Sequence, residues 1–179
     1  MKKYIVILFI VSYAANIYGQ NIASQYKKLT DEGLELLKQQ NIPAAIDKYK
    51  QALKIDSTKV EANYGLGTAY LYYCEAKKTD CNNALFYLNK AANINDNYRN
   101  CYYNRGRARA YIGDYKGALE DFNAAVKKDS TDKESFFSRA MVKIKLKDDN
   151  GACEDFYTSG QLGFEPARKM FEKNCGIKK

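Results

Sequence analysis

Small and large apolar residues recur along the chain at helical spacing, and the recurrence itself repeats. An alanine opens an amphipathic segment at Ala45, Ala84, Ala118 and Ala152, at intervals of 39, 34 and 34 residues. Four places after each stands a large residue, Tyr49, Leu88, Phe122 or Phe156, and three further on a small one, Ala52, Ala91, Ala125 or Ser159. Upstream, Gly33, Gly67, Gly106 and Ala140 follow one another at 34, 39 and 34. Residues three, four and seven apart share one face of a helix, so each unit predicts two helices whose small residues let the backbones approach. In the third unit Gly113 predicts the end of the first helix and Asp114 the N-cap of the second. In the first unit Asn41 and Pro43 open the second helix, and Asp56-Ser57-Thr58 closes it. The unequal intervals place five extra residues between Gly67 and Ala84, in the turn region Cys74 to Cys81. A fixed period of this length marks a stack of repeated units rather than a single core.

These series resemble the tetratricopeptide repeat. The closest stretch is the third unit, with Tyr-Tyr-Asn-Arg-Gly-Arg-Ala from Tyr102 and Gly-Asp-Tyr-Lys-Gly-Ala-Leu from Gly113. Departures are Leu29 and Asn63 where the family has an aromatic, and Ser57, Asp96 and Ser130 where it has a closing proline. The resemblance implies an all-α solenoid over 26–179, with about four helix-turn-helix repeats near 26–59, 60–98, 99–132 and 133–166. A capping helix over 166–175, begun by Pro166 and carrying Ala167, Met170 and Phe171 on one stripe, would close the exposed end.

In this family the first helices line a concave groove that holds an extended segment of a partner protein. The positions that carry over are Tyr64, Thr68 and Leu71, then Tyr103 and Arg107, then Phe137 and Met141. Tyr64, Tyr103 and Phe137 share one repeat position and would form an aromatic row. The alternative is that these rings only pack between neighbouring helices. Arg107 would pair with an acidic side chain or a terminal carboxylate of the partner. The family's carboxylate clamp does not carry over: Asn104 fits it, but Glu134 and Ser138 stand where Lys and Arg are needed.

The N-terminus reads as an address. Lys2 and Lys3 precede an apolar run from Tyr4 to Val11, extended through Ala15, and Gly19 offers a small residue before a cut at Gln20. That pattern predicts an export signal over 1–19, followed by a short linker over 20–25 and a periplasmic or secreted domain. The run is short of the roughly 20 apolar residues that span a bilayer.

Composition narrows the chemistry. The chain contains no histidine, which excludes a Ser-His-Asp triad, a Cys-His dyad and histidine-ligated metals. No phosphate loop or calcium-loop spacing is present, so neither catalysis nor a metal or cofactor is expected. The 29 basic residues against 21 acidic ones give +8. The alternative function is therefore polyanion binding, to lipid, polysaccharide or nucleic acid, on a basic helical surface. The positive residues are spread over many helices rather than clustered, which argues against nucleic acid as the partner. The expected function is a non-catalytic interaction scaffold for a protein or peptide.

In an oxidising compartment the five cysteines gain meaning. Cys153 and Cys175 flank the turn before the capping helix symmetrically, so antiparallel helices would bring them level. Cys74 and Cys81 flank the insertion in the same way, and Cys101 is left over. The alternative for each pair is two small residues that never meet. Arg105 and Arg139 sit at equivalent points of the third and fourth units, as do Asp121 and Asp155, predicting structural ion pairs Arg105–Asp121 and Arg139–Asp155.

Overall fold

The computed structural model describes residues 2–98 and 101–176, with backbone alone over 2–15. Among the described residues the chain is nine α-helices with no strand: α1 (Lys2–Lys38), α2 (Ile42–Ile55), α3 (Val60–Lys77), α4 (Asn82–Ile94), α5 (Cys101–Tyr111), α6 (Tyr115–Lys128), α7 (Lys133–Lys145), α8 (Asp149–Gln161) and α9 (Glu165–Asn174). They form four antiparallel hairpins, α1–α2, α3–α4, α5–α6 and α7–α8, and α9 packs on α8. The second helix of each hairpin also packs on the first helix of the next. The hairpins therefore line up in sequence order, as one fold class predicts: an all-α tetratricopeptide solenoid.

Local chemistry sets the helix ends. Asn41, Asp114 and Asp148 each accept a hydrogen bond from the backbone N–H three residues on, and Asp132 accepts from Glu134 and Ser135. Between units, Asp56 and Asp129 each accept two bonds from the threonine two residues on, closing the Asp-Ser-Thr breaks. Each first helix ends in a left-handed residue: Gln40, Lys78, Gly113 and Lys147, with φ from 55° to 86°.

The insertion lengthens a helix more than a turn. From Gly67 to the left-handed Lys78 is 11 positions, where Gly33 to Gln40 and Gly106 to Gly113 are each 7. Most of the extra residues thus give α3 an added turn, and it carries Cys74 and Glu75 out past its neighbours. Cys74 is bonded to Cys81 across the following turn, with the Cα atoms 5.5 Å apart. Cys153 on α8 is bonded to Cys175 at the end of α9, with Cα atoms 5.6 Å apart, tying the last helix to the stack. Cys101 is free and buried, and burial pushes its thiol up to about 11, against the opposing pull of Arg105 and Lys128. Intact mass of the purified protein should fall about 4 Da below that of its fully reduced form. Equal masses would remove both bridges.

Residues 20–25, expected as a linker, are helical and continuous with the first helix of the first repeat. The side chains of the expected signal core, residues 2–15, lie outside the described residues. Within the described residues no helix is long and apolar enough to cross a membrane.

The core is a chain of small clusters in which each bulky residue fills the space beside a small one. Leu88 lies against Gly67 and Phe122 against Gly106, so closely that a Cβ on either glycine would come within about 3.0 Å of the partner side chain. Phe156 joins Ala140, Ala152 and Ala167 in the last cluster. Tyr49 is wedged between Gly33 on α1 and Gly65 on α3, its ring filling the gap between two repeats.

Candidate functional site

Consecutive first helices touch one another, α1 on α3, α3 on α5 and α5 on α7, so their outward faces form one continuous side of the molecule. Near its N-terminal end this side opens into a cleft of about 350 Å3 between α1, α3 and α5. Thr30, Leu34, Tyr64, Thr68, Tyr72 and Asn104 are among its walls, and Asp31 and Glu61 lie at its rim. Tyr98, in the connection after α4, closes one end and meets Tyr64 edge to face, with ring centres 5.4 Å apart.

Helical spacing explains the convergence. Tyr64 and Thr68 are one turn apart on α3, and Asn104 on α5 reaches across to both. Its Nδ2 donates to the Tyr64 hydroxyl at 2.9 Å and to Thr68 Oγ1 at 3.2 Å. Asn104 is 5 % exposed, so this amide fixes the spacing of two repeats from inside the wall of the cleft.

The other expected groove residues divide. Met141 is exposed on α7. Tyr103 is half-buried against Phe122, with ring centres 6.0 Å apart, and burial raises its phenol above the usual range. Phe137 packs against Phe156 and Phe164. Leu71 is fully buried in the cluster around Cys74, Cys81 and Leu88 and does not reach the face. The aromatic row is thus part wall and part core, because the rings that seal one repeat against the next also fill the positions facing the groove. Arg107 is already engaged: its Nη2 lies 2.6 Å and 2.8 Å from the two oxygens of Glu75, and its guanidinium sits over Tyr72 and Tyr103. Glu75 stands on the added turn of α3, so the insertion supplies from within the chain the carboxylate expected from a partner.

Two expected ion pairs lie on the other side of the first helices, against the second. Arg105 Nε lies 3.0 Å and 3.1 Å from the oxygens of Asp121, and Arg139 Nε lies 2.8 Å from Asp155. Sequence reasoning missed the rest of this network. A second cation one turn on also reaches each carboxylate, Arg109 at 3.0 Å from Asp121 and Lys143 at 2.9 Å from Asp155. Each arginine further bonds an asparagine of the preceding repeat, Arg105 to Asn89 at 3.2 Å and Arg139 to Asn123 at 3.0 Å. The signal was present in the period: Asn89 and Asn123, like Arg109 and Lys143, are 34 residues apart.

Among the described residues no three metal-binding side chains converge. A tetratricopeptide-repeat family model matches residues 33–71 and a second matches 100–132. Comparison with curated proteins finds no match. Among solved structures, the chain superposes on MamA with a TM-score of 0.70 at 20% identity, covering 86% of this chain and 84% of that one. It superposes on PilF of Pseudomonas aeruginosa with a TM-score of 0.72 at 20% identity, covering 86% and 68%. A chain of the APC/C hetero-tetramer Cut9–Hcn1 gives 0.74 at 14% identity, over 84% of this chain and 30% of that one. At these identities the likeness is one of fold, and it agrees with the period of the sequence, the hairpin order and the two matched repeats: the chain is a tetratricopeptide-repeat protein.

Proposed function

We propose that the protein is a non-catalytic scaffold that holds an extended segment of a partner protein in a concave groove along its first helices, outside the cytoplasm. The observation that carries this reading is the cleft between α1, α3 and α5, where tyrosine rings and hydrogen-bonding groups from three successive repeats face one space. An extended peptide presents backbone amides and alternating side chains, and a row of rings and amides of this kind can grip both. The two bonded cysteine pairs support an oxidising location, and so does the export pattern at the N-terminus. Tyr64 and Thr68 form the central wall of the groove, with Tyr103, Arg107 and Met141 continuing it along α5 and α7. Leu71 and Phe137 hold the repeats together beneath.

Affinity capture from the native envelope tests this, comparing wild type with the double variant Tyr64→Ala/Tyr103→Ala at matched folded content. The variant should lose the captured protein partner, by about tenfold or more, since each truncation removes a ring from a largely buried contact. An undiminished set of partners would reject this face as the site. Binding that collapses between low and moderate salt would favour polyanion attachment instead.

A further inference from the structure

The fixed charge and the buried amide of the cleft call for a donor. Its amide, ammonium and Thr30 donors are engaged, while the Tyr64, Thr68 and Tyr72 hydroxyls can donate or accept. Asn104 Nδ2 serves Tyr64 and Thr68, the Thr30 hydroxyl donates to the Lys27 carbonyl at 2.8 Å, and Lys38 lies 3.3 Å from Glu35. Lys27, beside the rim, is 2.6 Å from Asp31. Acceptors remain. Among the described residues no donor reaches Asn104 Oδ1, although this residue is 95 % buried and lines the cleft. Glu61, exposed in the first turn of α3, borders this cleft and the adjoining one along α1, and no cation among the described residues lies within ion-pair distance of it. Tyr64, Tyr72 and Tyr98 add ring surface to the same walls.

A group that offers only donors, carries positive charge and lies flat against aromatic rings satisfies all three conditions. We infer that the cleft is a subsite for a basic side chain, arginine before lysine, on the partner's extended segment. The guanidinium would take Glu61 as its counter-ion, donate to Asn104 Oδ1 and stack on the tyrosines. The local demand is opposite in sign to the chain's net charge of +8. A site shaped by overall charge would select an acidic partner, whereas this one selects a basic one. The inference rests on the groove reading above and specifies what the groove recognises.

Panning a random peptide library against the full chain, with its disulfides oxidised, tests it. Enriched peptides should share an Arg or Lys. Replacing that Arg by citrulline, which keeps the shape and removes the charge, should weaken binding about tenfold. Glu61→Gln should weaken the Arg peptide by about fivefold and leave the citrulline peptide unchanged, with Tm moved by less than about 3 °C. Because Glu61 is exposed, this variant keeps the test independent of folding, which Asn104→Ala would not. Enriched peptides without a cation, or equal binding of the Arg and citrulline forms, would overturn the basic subsite. If those peptides still failed to bind Tyr64→Ala/Tyr103→Ala, the groove would stand without it. No enrichment of any sequence would overturn both.

Discussion

Asp121→Ala should lower the stability of the folded chain by about 3–5 kcal/mol, read as a fall in the urea midpoint and a drop of roughly 10 °C in Tm. Asp121 is only 2 % exposed, accepts hydrogen bonds from Arg105 and forms an ion pair with Arg109, so its loss leaves two cations without their carboxylate against the second helix. The other repeats show that a salt bridge is one of several solutions at this position. In the fourth repeat Asp155 holds Arg139 and Lys143. The first repeat has the charges exchanged, with Glu32 on α1 at 2.6 Å from Lys48 on α2, and the bond to Lys48 holds the Glu32 carboxyl below its ordinary range. In the second the site is apolar: Leu66, Tyr70 and Tyr87 replace Arg105, Arg109 and Asp121, with Tyr70 and Tyr87 stacked at 5.9 Å. Replacing a buried ion pair by packed apolar residues is often neutral, whereas breaking it is not. The triple variant Arg105→Leu/Arg109→Tyr/Asp121→Tyr should therefore recover most of what Asp121→Ala loses. An unchanged midpoint for Asp121→Ala would show that the pair contributes nothing. A triple variant as unstable as the single one would show that the third repeat cannot adopt the second repeat's solution.

How much of this was legible in the sequence follows from what a repeat does and does not encode. Helix pairing and order were readable because Gly33, Gly67 and Gly106 meet Tyr49, Leu88 and Phe122 by the same geometry, and a shared geometry writes a period. The same logic gave Arg105–Asp121 and Arg139–Asp155. Contacts made once, across units, left no period. Glu75 is such a case: it sits on the single lengthened helix, so nothing in the other repeats announced that Arg107 would be taken. Asn104 matched a family position in sequence, but its bonds to Tyr64 and Thr68 come from the preceding repeat and depend on how far α3 and α5 stand apart. Leu71 and Phe137 were placed on the groove by register alone. Register fixes the angle around a helix, while burial also depends on where the neighbour ends, and the cluster around Cys74–Cys81 covers Leu71.

Gly65→Ala is expected to destabilise the fold by about 1–3 kcal/mol despite the better helix propensity of alanine, which by itself would add about 1 kcal/mol of stability. A Cβ at this position of α3 would overlap the Tyr49 ring, which would have to shift to clear it. Its other flank lies at Gly33, where a Cβ would already be 2.9 Å from the ring. Tyr49 is 3 % exposed and is the largest of the four residues at its repeat position, which explains why the following helix needs a glycine where the third and fourth repeats carry Asn104 and Ser138. Tyr49→Leu, copying Leu88 of the second repeat, removes the ring and with it the reason for the glycine. Leucine leaves a gap, so Tyr49→Leu alone should also be costly, yet adding Gly65→Ala to it should cost far less than in the wild type. The two variants together with the double form a cycle in denaturant melts, and residues in contact commonly couple by 0.5–3 kcal/mol, here about 2 in the favourable direction. Strict additivity would mean that the ring does not bridge the two glycines, and the seam between the first and second repeats would then be held by other contacts.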